Sequence, residues 1–143
     1  MPKPKTEAIK YAAGAILDRK STRLNSSHTD SSRIRLKITV PVEASVKEQL
    51  KNDMGQAVTT LNKSESYLMV GIEDSYDLWL GGRKLQKGAY VSVSLYGNAL
   101  PSDYNTMTSQ ICGILDRRIG IPGDAVYVTY HPVNDWGWNG RNF

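Results

Sequence analysis

At 143 residues, 40% hydrophobic and 22% charged, the chain has the length and composition of one water-soluble domain with a single core. No stretch approaches the ~20 consecutive apolar residues that span a bilayer. The short apolar run at residues 12–17, with Glu7, Lys10 and Asp18 around it, is no secretory h-region. The single cysteine, Cys112, excludes an internal disulfide and a cysteine metal cluster. With only His28 and His131 besides, neither a metal nor a cofactor is expected. The net charge of +4 is unevenly spread, since residues 1–32 hold six Lys/Arg against three acids and residues 33–143 hold twelve against eleven. So neutral a domain argues against a nucleic-acid partner. A cytosolic location is expected, with any export independent of a signal peptide.

Residues 6–18 place Ile9, Ala12, Ala13, Ile16 and Leu17 at helical spacing. Residues 19–32 (RKSTRLNSSHTDSS) hold one apolar residue in fourteen and read as linker or disorder. The chain thus divides into an N-terminal extension, residues 1–32, and a domain, residues 33–143. Ile34, Leu36, Ile38 and Val40 then alternate with Arg35, Lys37 and Thr39, which predicts a strand buried on one face and ended by Pro41. Ser45 followed by Glu48 reads as a capping box. It opens a helix with Val46, Leu50, Met54, Val58 and Leu61 as its apolar stripe and Asn62 as its stop. Residues 67–72 predict a second strand.

The order then repeats. After a short LWL segment (78–80) and a turn at Gly81 and Gly82, residues 90–96 (YVSVSLY) alternate as a strand. Pro101 and Ser102 precede a helix whose stripe is Met107, Ile111, Ile114 or Leu115, and Ile119, closed by Gly120 and Pro122. Residues 126–130 supply another strand. A doubled β-α-β pattern puts the chain in the α/β (α+β) class, with both helices on one face of a four-stranded sheet. The other face, carrying Tyr90, Tyr96 and Tyr127, would be left open, and a closed oligomer is one ordinary way to cover it.

The segments AVYVTY (125–130), DWGWNGRNF (135–143) and ICGIL (111–115), with TVP (39–41) and NKSESY (62–67), resemble the macrophage migration inhibitory factor and phenylpyruvate tautomerase family. The WGWN ending resembles bacterial members in particular. The resemblance implies the tautomerase fold: a four-stranded mixed sheet, two helices on one face, and a homotrimer around a central channel. It also implies active sites between neighbouring subunits, where an α-keto acid such as phenylpyruvate is interconverted between keto and enol forms. The general base would be a proline freed at the N-terminus by removal of the initiator Met. Such a secondary amine starts from an α-amino pKa of ~7.7–8.0, and burial near a cation lowers it toward a neutral base.

Carried onto this chain, the resemblance puts Lys63 at the carboxylate-binding lysine and Tyr67 at a pocket aromatic. Tyr96 stands before Gly97, where a backbone amide helps bind the carboxylate, with a side chain larger than the usual aliphatic. Tyr127 matches a tyrosine that reaches in from the neighbouring subunit, and Thr129 replaces the asparagine of some members. Trp138 and Phe143 match the aromatic end of the pocket, while Trp136 departs from animal members and would narrow the mouth. Cys112, lacking a histidine partner, reads as a small hydrophobe. His131 has no acid or nucleophile nearby in sequence, and Gly81 and Gly82 lack the spacing of a phosphate loop.

Counting back from Pro41 with the family's spacing puts the catalytic proline at position 32, where the chain has Ser31 and Ser32. The nitrogen of Ser32 is locked in a peptide bond, and an amide nitrogen is no base. Three accounts compete. The chain is an extended homologue that has become a non-catalytic trimeric binding or signalling protein; or Pro2 is presented by a folded-back extension; or the leading segment is foreign. RKSTRLNSSH resembles translated adaptor or vector sequence, and the native chain would then begin with Met-Pro directly before Arg33. We favour the last account: a tautomerase by family, impaired as the chain is written.

Overall fold

The computed structural model describes residues 28–143 of the chain. The helix expected over residues 6–18, and residues 19–27 of the expected linker, lie outside the described residues. The remainder of that linker has structure: a 3-10 turn, His28–Asp30, is joined through Ser31 to the first strand.

Alternation sets the first strand, β1 (Ser32–Ile38). Ile34, Leu36 and Ile38 are buried on one face, and Arg33 and Arg35 are exposed on the other. The expected start at residue 33 moves back by one, because Ser32 already pairs with Leu68 and Leu95. The expected end at Val40 moves back to Ile38. There the Ile38 and Val40 carbonyls accept from the Tyr76 and Ser75 amides, which turns the chain out of the ladder.

Helix α1 (Ala44–Ala57) follows, continued by a 3-10 turn, Val58–Leu61. The capping box expected at Ser45 does not form. The N-cap is Glu43, whose side chain makes no capping bond, and Ser45 sits inside the first turn. Glu48 instead pairs with Lys51 at 3.0 Å. The stripe itself holds, with Leu50, Met54, Val58 and Leu61 buried and Val46 partly so. Asn62 ends the run in the left-handed conformation at φ 60°, a position asparagine tolerates better than most residues.

A 3-10 turn, Glu65–Tyr67, leads into β2 (Leu68–Glu73), so Tyr67 precedes the strand rather than opening it. The LWL segment becomes a small hairpin of β3 (Trp79–Leu80) and β4 (Arg83–Lys84), turned at Gly81 and Gly82. Strand β5 (Ala89–Tyr96) buries Ala89, Val91, Val93 and Leu95.

Helix α2 (Pro101–Ile119) starts with proline, whose missing N–H costs nothing at a first helical position. It stops at Gly120, whose amide donates to the Asp116 carbonyl while the Ile121 amide donates to that of Leu115. Met107, Ile111, Ile114 and Leu115 all face the core. Cys112 is half-buried beside them, and burial pushes its thiol pKa up. Strand β6 (Val126–Val133) runs three residues further than its expected end at Tyr130. The chain closes with a hairpin of β7 (Gly137–Trp138) and β8 (Arg141–Asn142). Its two turn residues, Asn139 and Gly140, both have positive φ (51° and 89°), the Asn-Gly turn that matches the twist of paired strands.

The main sheet has the order β2-β1-β5-β6. Each β-α-β half forms a parallel pair, and the halves meet where β1 and β5 run antiparallel. The core lies between this mixed sheet and the two helices. The helices are also joined by Arg118, which donates through Nε and one terminal nitrogen to Asp53 at 2.8 and 3.2 Å. The opposite sheet face is polar, bearing Arg33, Arg35 and Lys37 from β1, and Tyr90, Ser92 and Ser94 from β5.

Candidate functional site

Topology brings three chain ends to one edge of the sheet. Strand β1 begins there at Ser32, β2 begins there at Leu68, and β5 ends there at Tyr96. The C-terminal hairpin, closed by the Phe143 amide bonding the Trp136 carbonyl at 3.2 Å, meets the same edge where Phe143 contacts Tyr96. A cleft of about 700 Å³ opens among these elements, lined by His28, Ser32, Tyr67, Trp136 and Trp138 among others.

Lys63 reaches the site from the turn after α1, where Asn62 reverses the chain. Its Nζ donates to the Thr29 carbonyl at 2.6 Å. Loss of water around the ammonium pulls its pKa below the ordinary lysine value, with the Asp30 carboxylate pulling the other way. The Tyr96 amide donates to the Ser31 carbonyl at 3.0 Å. An ammonium and a backbone N–H thus point at acceptors only two residues apart, a donor pair suited to a carboxylate.

Aromatic rings form the other wall. Phe143 packs edge-on against Tyr96 with ring centres 5.2 Å apart, and the Tyr96 hydroxyl donates to the Phe143 carbonyl at 3.4 Å. The imidazole of His28 lies 4.3 Å from Trp138, 5.3 Å from Phe143 and 5.9 Å from Tyr67, measured between ring centres. Ser32, only 1% exposed, has a buried hydroxyl oxygen with no hydrogen-bond partner.

Of the residues singled out from the sequence, Ser32, Lys63, Tyr67, Tyr96, Trp138 and Phe143 gather at this edge, and Trp136 lines the cleft. Tyr127 and Thr129 do not. Tyr127 pairs with Tyr90 at the far end of β5 and is 63% exposed. The Thr129 hydroxyl lies between the Tyr90 hydroxyl and His131 Nε2, 2.9 Å from each. Six residues of strand, roughly 20 Å at ~3.3 Å each, separate Tyr127 from the cleft end of β6. Sequence reasoning missed His28, Thr29 and Ser31, which it assigned to linker; their polar composition carries no signal that distant donors would hold them. Among the described residues no group of His, Cys, Asp or Glu is placed to hold a metal ion, and no helix is long and apolar enough to cross a membrane.

Residues 33–143 match the family model of macrophage migration inhibitory factor (MIF). The chain belongs to the MIF family. Its fold is that of MIF structures from distant organisms. Leishmania major MIF2 aligns with a TM-score of 0.73 at 27% identity, over 79% of this chain and 97% of that one. The MIF homologue of Prochlorococcus marinus aligns with a TM-score of 0.66 at 27% identity, over 78% and 98%. A third, Pt0534 inactivated by 2-oxo-3-pentynoate, shares the fold with a TM-score of 0.68 at 16% identity, over 77% and 94%. The domain is therefore of the MIF/tautomerase type. The family match begins at the strand that starts the sheet, and the N-terminal extension stands outside it.

Proposed function

We propose that the domain binds phenylpyruvate-like α-keto acids. Where a free proline nitrogen stands at the start of β1, it interconverts their keto and enol forms, within a homotrimer. The observation that carries this reading is the convergence of Lys63 Nζ and the Tyr96 amide beside the start of β1, against an aromatic wall. The two donors suit the substrate's carboxylate, and Tyr67, Trp138 and Phe143 suit its ring. A neutral secondary amine at the start of β1 takes a proton from the carbon beside the ketone. The electron pair left behind forms the C=C bond, and the ketone oxygen gains a proton as the enol. In this chain the corresponding nitrogen belongs to the Ser31–Ser32 peptide, where resonance removes its basicity.

Ultraviolet absorbance of enol-phenylpyruvate provides the test. A chain in which Met-Pro directly precedes Arg33 is expected to turn it over. Lys63→Met in that chain is expected to raise KM by about 10- to 100-fold, the size of a lost hydrogen bond to a charged group. Inactivity of the proline-first chain would favour the second reading, a non-catalytic trimeric binding protein, which the amide at Ser32 already suits.

A further inference from the structure

The groups that meet the donors and the aromatic wall of the candidate site belong to the chain itself. The His28 imidazole occupies the aromatic wall, against Trp138, Phe143 and Tyr67. The Thr29 carbonyl takes the Lys63 ammonium, and the Ser31 carbonyl takes the Tyr96 amide. Asp30 adds a negative charge that favours the Lys63 cation. A planar ring followed by two carbonyl oxygens, set on the same two donors, stands in for the ring and the carboxylate oxygens of an aromatic α-keto acid. We propose that His28–Asp30 and Ser31 act as an internal pseudosubstrate that occupies the donors and the aromatic wall at one side of the cleft. The inference rests on the reading of this pocket as an α-keto acid site.

Two physical features support it. A half-buried ammonium and a strand-end amide each need an acceptor, because a desolvated polar group without one is costly. The extension supplies both acceptors from the main chain, so the contact is independent of what side chains stand at Thr29 and Ser31. The part that depends on a side chain is the His28 ring, which lies against Trp138 and Phe143 and edge-on to Tyr67, rings that would otherwise meet a ligand ring. An α-keto acid that uses these donors must displace this segment, and its apparent affinity falls by the fraction of time they are occupied.

The full chain and its His28→Ala variant provide the test, each titrated with phenylpyruvate and followed by tryptophan fluorescence. The His28 ring proton is watched by NMR in parallel. In the full chain the ring proton is expected to be shifted by stacking on Trp138 and to move to its free position as phenylpyruvate saturates. His28→Ala is expected to bind phenylpyruvate about 3- to 10-fold more tightly, the worth of the lost ring contacts. Equal binding by both chains, or a His28 signal that stays stacked while phenylpyruvate binds, would overturn the plug and leave the site reading standing. Failure of both chains to bind, with His28 stacked and the variant folded by circular dichroism, would overturn the site reading and the pseudosubstrate together.

Discussion

An ammonium whose loss of water outweighs the pull of a nearby opposite charge becomes easier to deprotonate. Lys63 is such a group: burial lowers its pKa, and Asp30 only partly offsets this. A carboxylate ligand needs the charged form, so binding is strongest below the depressed lysine value and is lost as pH rises through it. We therefore expect phenylpyruvate affinity of the full chain to fall on the alkaline side before the ordinary lysine pKa of ~10.4 is reached. Arginine keeps its charge throughout this range. Lys63→Arg should thus remove the alkaline fall even if it weakens binding at neutral pH, and titrations at stepped pH would measure both. An alkaline fall retained in Lys63→Arg would assign the titration to another group. Ser32 shows the opposite case, a position whose role disappears with one covalent bond. Its hydroxyl is buried without a partner, and its nitrogen is an amide.

At the scale of elements, one carboxylate joins the entrance of α1 to the end of β2. The Asp74 carboxylate accepts from the Val42 amide at 2.8 Å and from Lys47 at 3.4 Å. The backbone bond is the main reason its pKa lies below the ordinary carboxylate value, with Lys47 adding to it and burial opposing. A carboxyl whose folded pKa is depressed stabilises the fold above its unfolded pKa of ~3.9, and the contribution disappears as pH falls through the folded value. Asp74→Asn should lower the midpoint of thermal unfolding at neutral pH and flatten its decline in acid, measured by circular dichroism. An unchanged acid decline would place the acid-sensitive group elsewhere.

The same scale shows what the sequence made legible. Strands β1 and β5 alternate cleanly because each has one buried face, so Ile34, Leu36, Val91 and Val93 announce themselves. The helix stripes do so for the same reason. Ser45 and Glu48 had the spacing of a capping box, but the chain turns into the helix two residues earlier at Glu43, and spacing alone does not see that turn. The His28–Ser31 segment was illegible for a deeper reason. Its order comes from Lys63 and Tyr96, donors distant in sequence, and not from any apolar pattern of its own. Lys63, Tyr67, Trp138 and Phe143 were singled out through the family resemblance and not through composition or periodicity.

At the scale of the whole molecule, the sheet face opposite the helices exposes Tyr127 and a row of cations from β1, with Thr129 tied to Tyr90 and His131. Within one chain Tyr127 stands far from the cleft. The homotrimer proposed here would let a neighbour bring that tyrosine to the site, as the resemblance implies. Sedimentation velocity should give a species of three chains, about three times 15.9 kDa. A monomer at micromolar concentration would leave the Tyr127 role without a route.

The most direct measurement compares keto–enol turnover of phenylpyruvate by this chain and by one in which Met-Pro directly precedes Arg33. The account predicts that the proline-first chain is faster by about 10²- to 10⁴-fold, the usual contribution of a positioned general base. Equal rates in the two chains would contradict it, because the nitrogen at Ser32 would then be shown to carry no part of the catalysis.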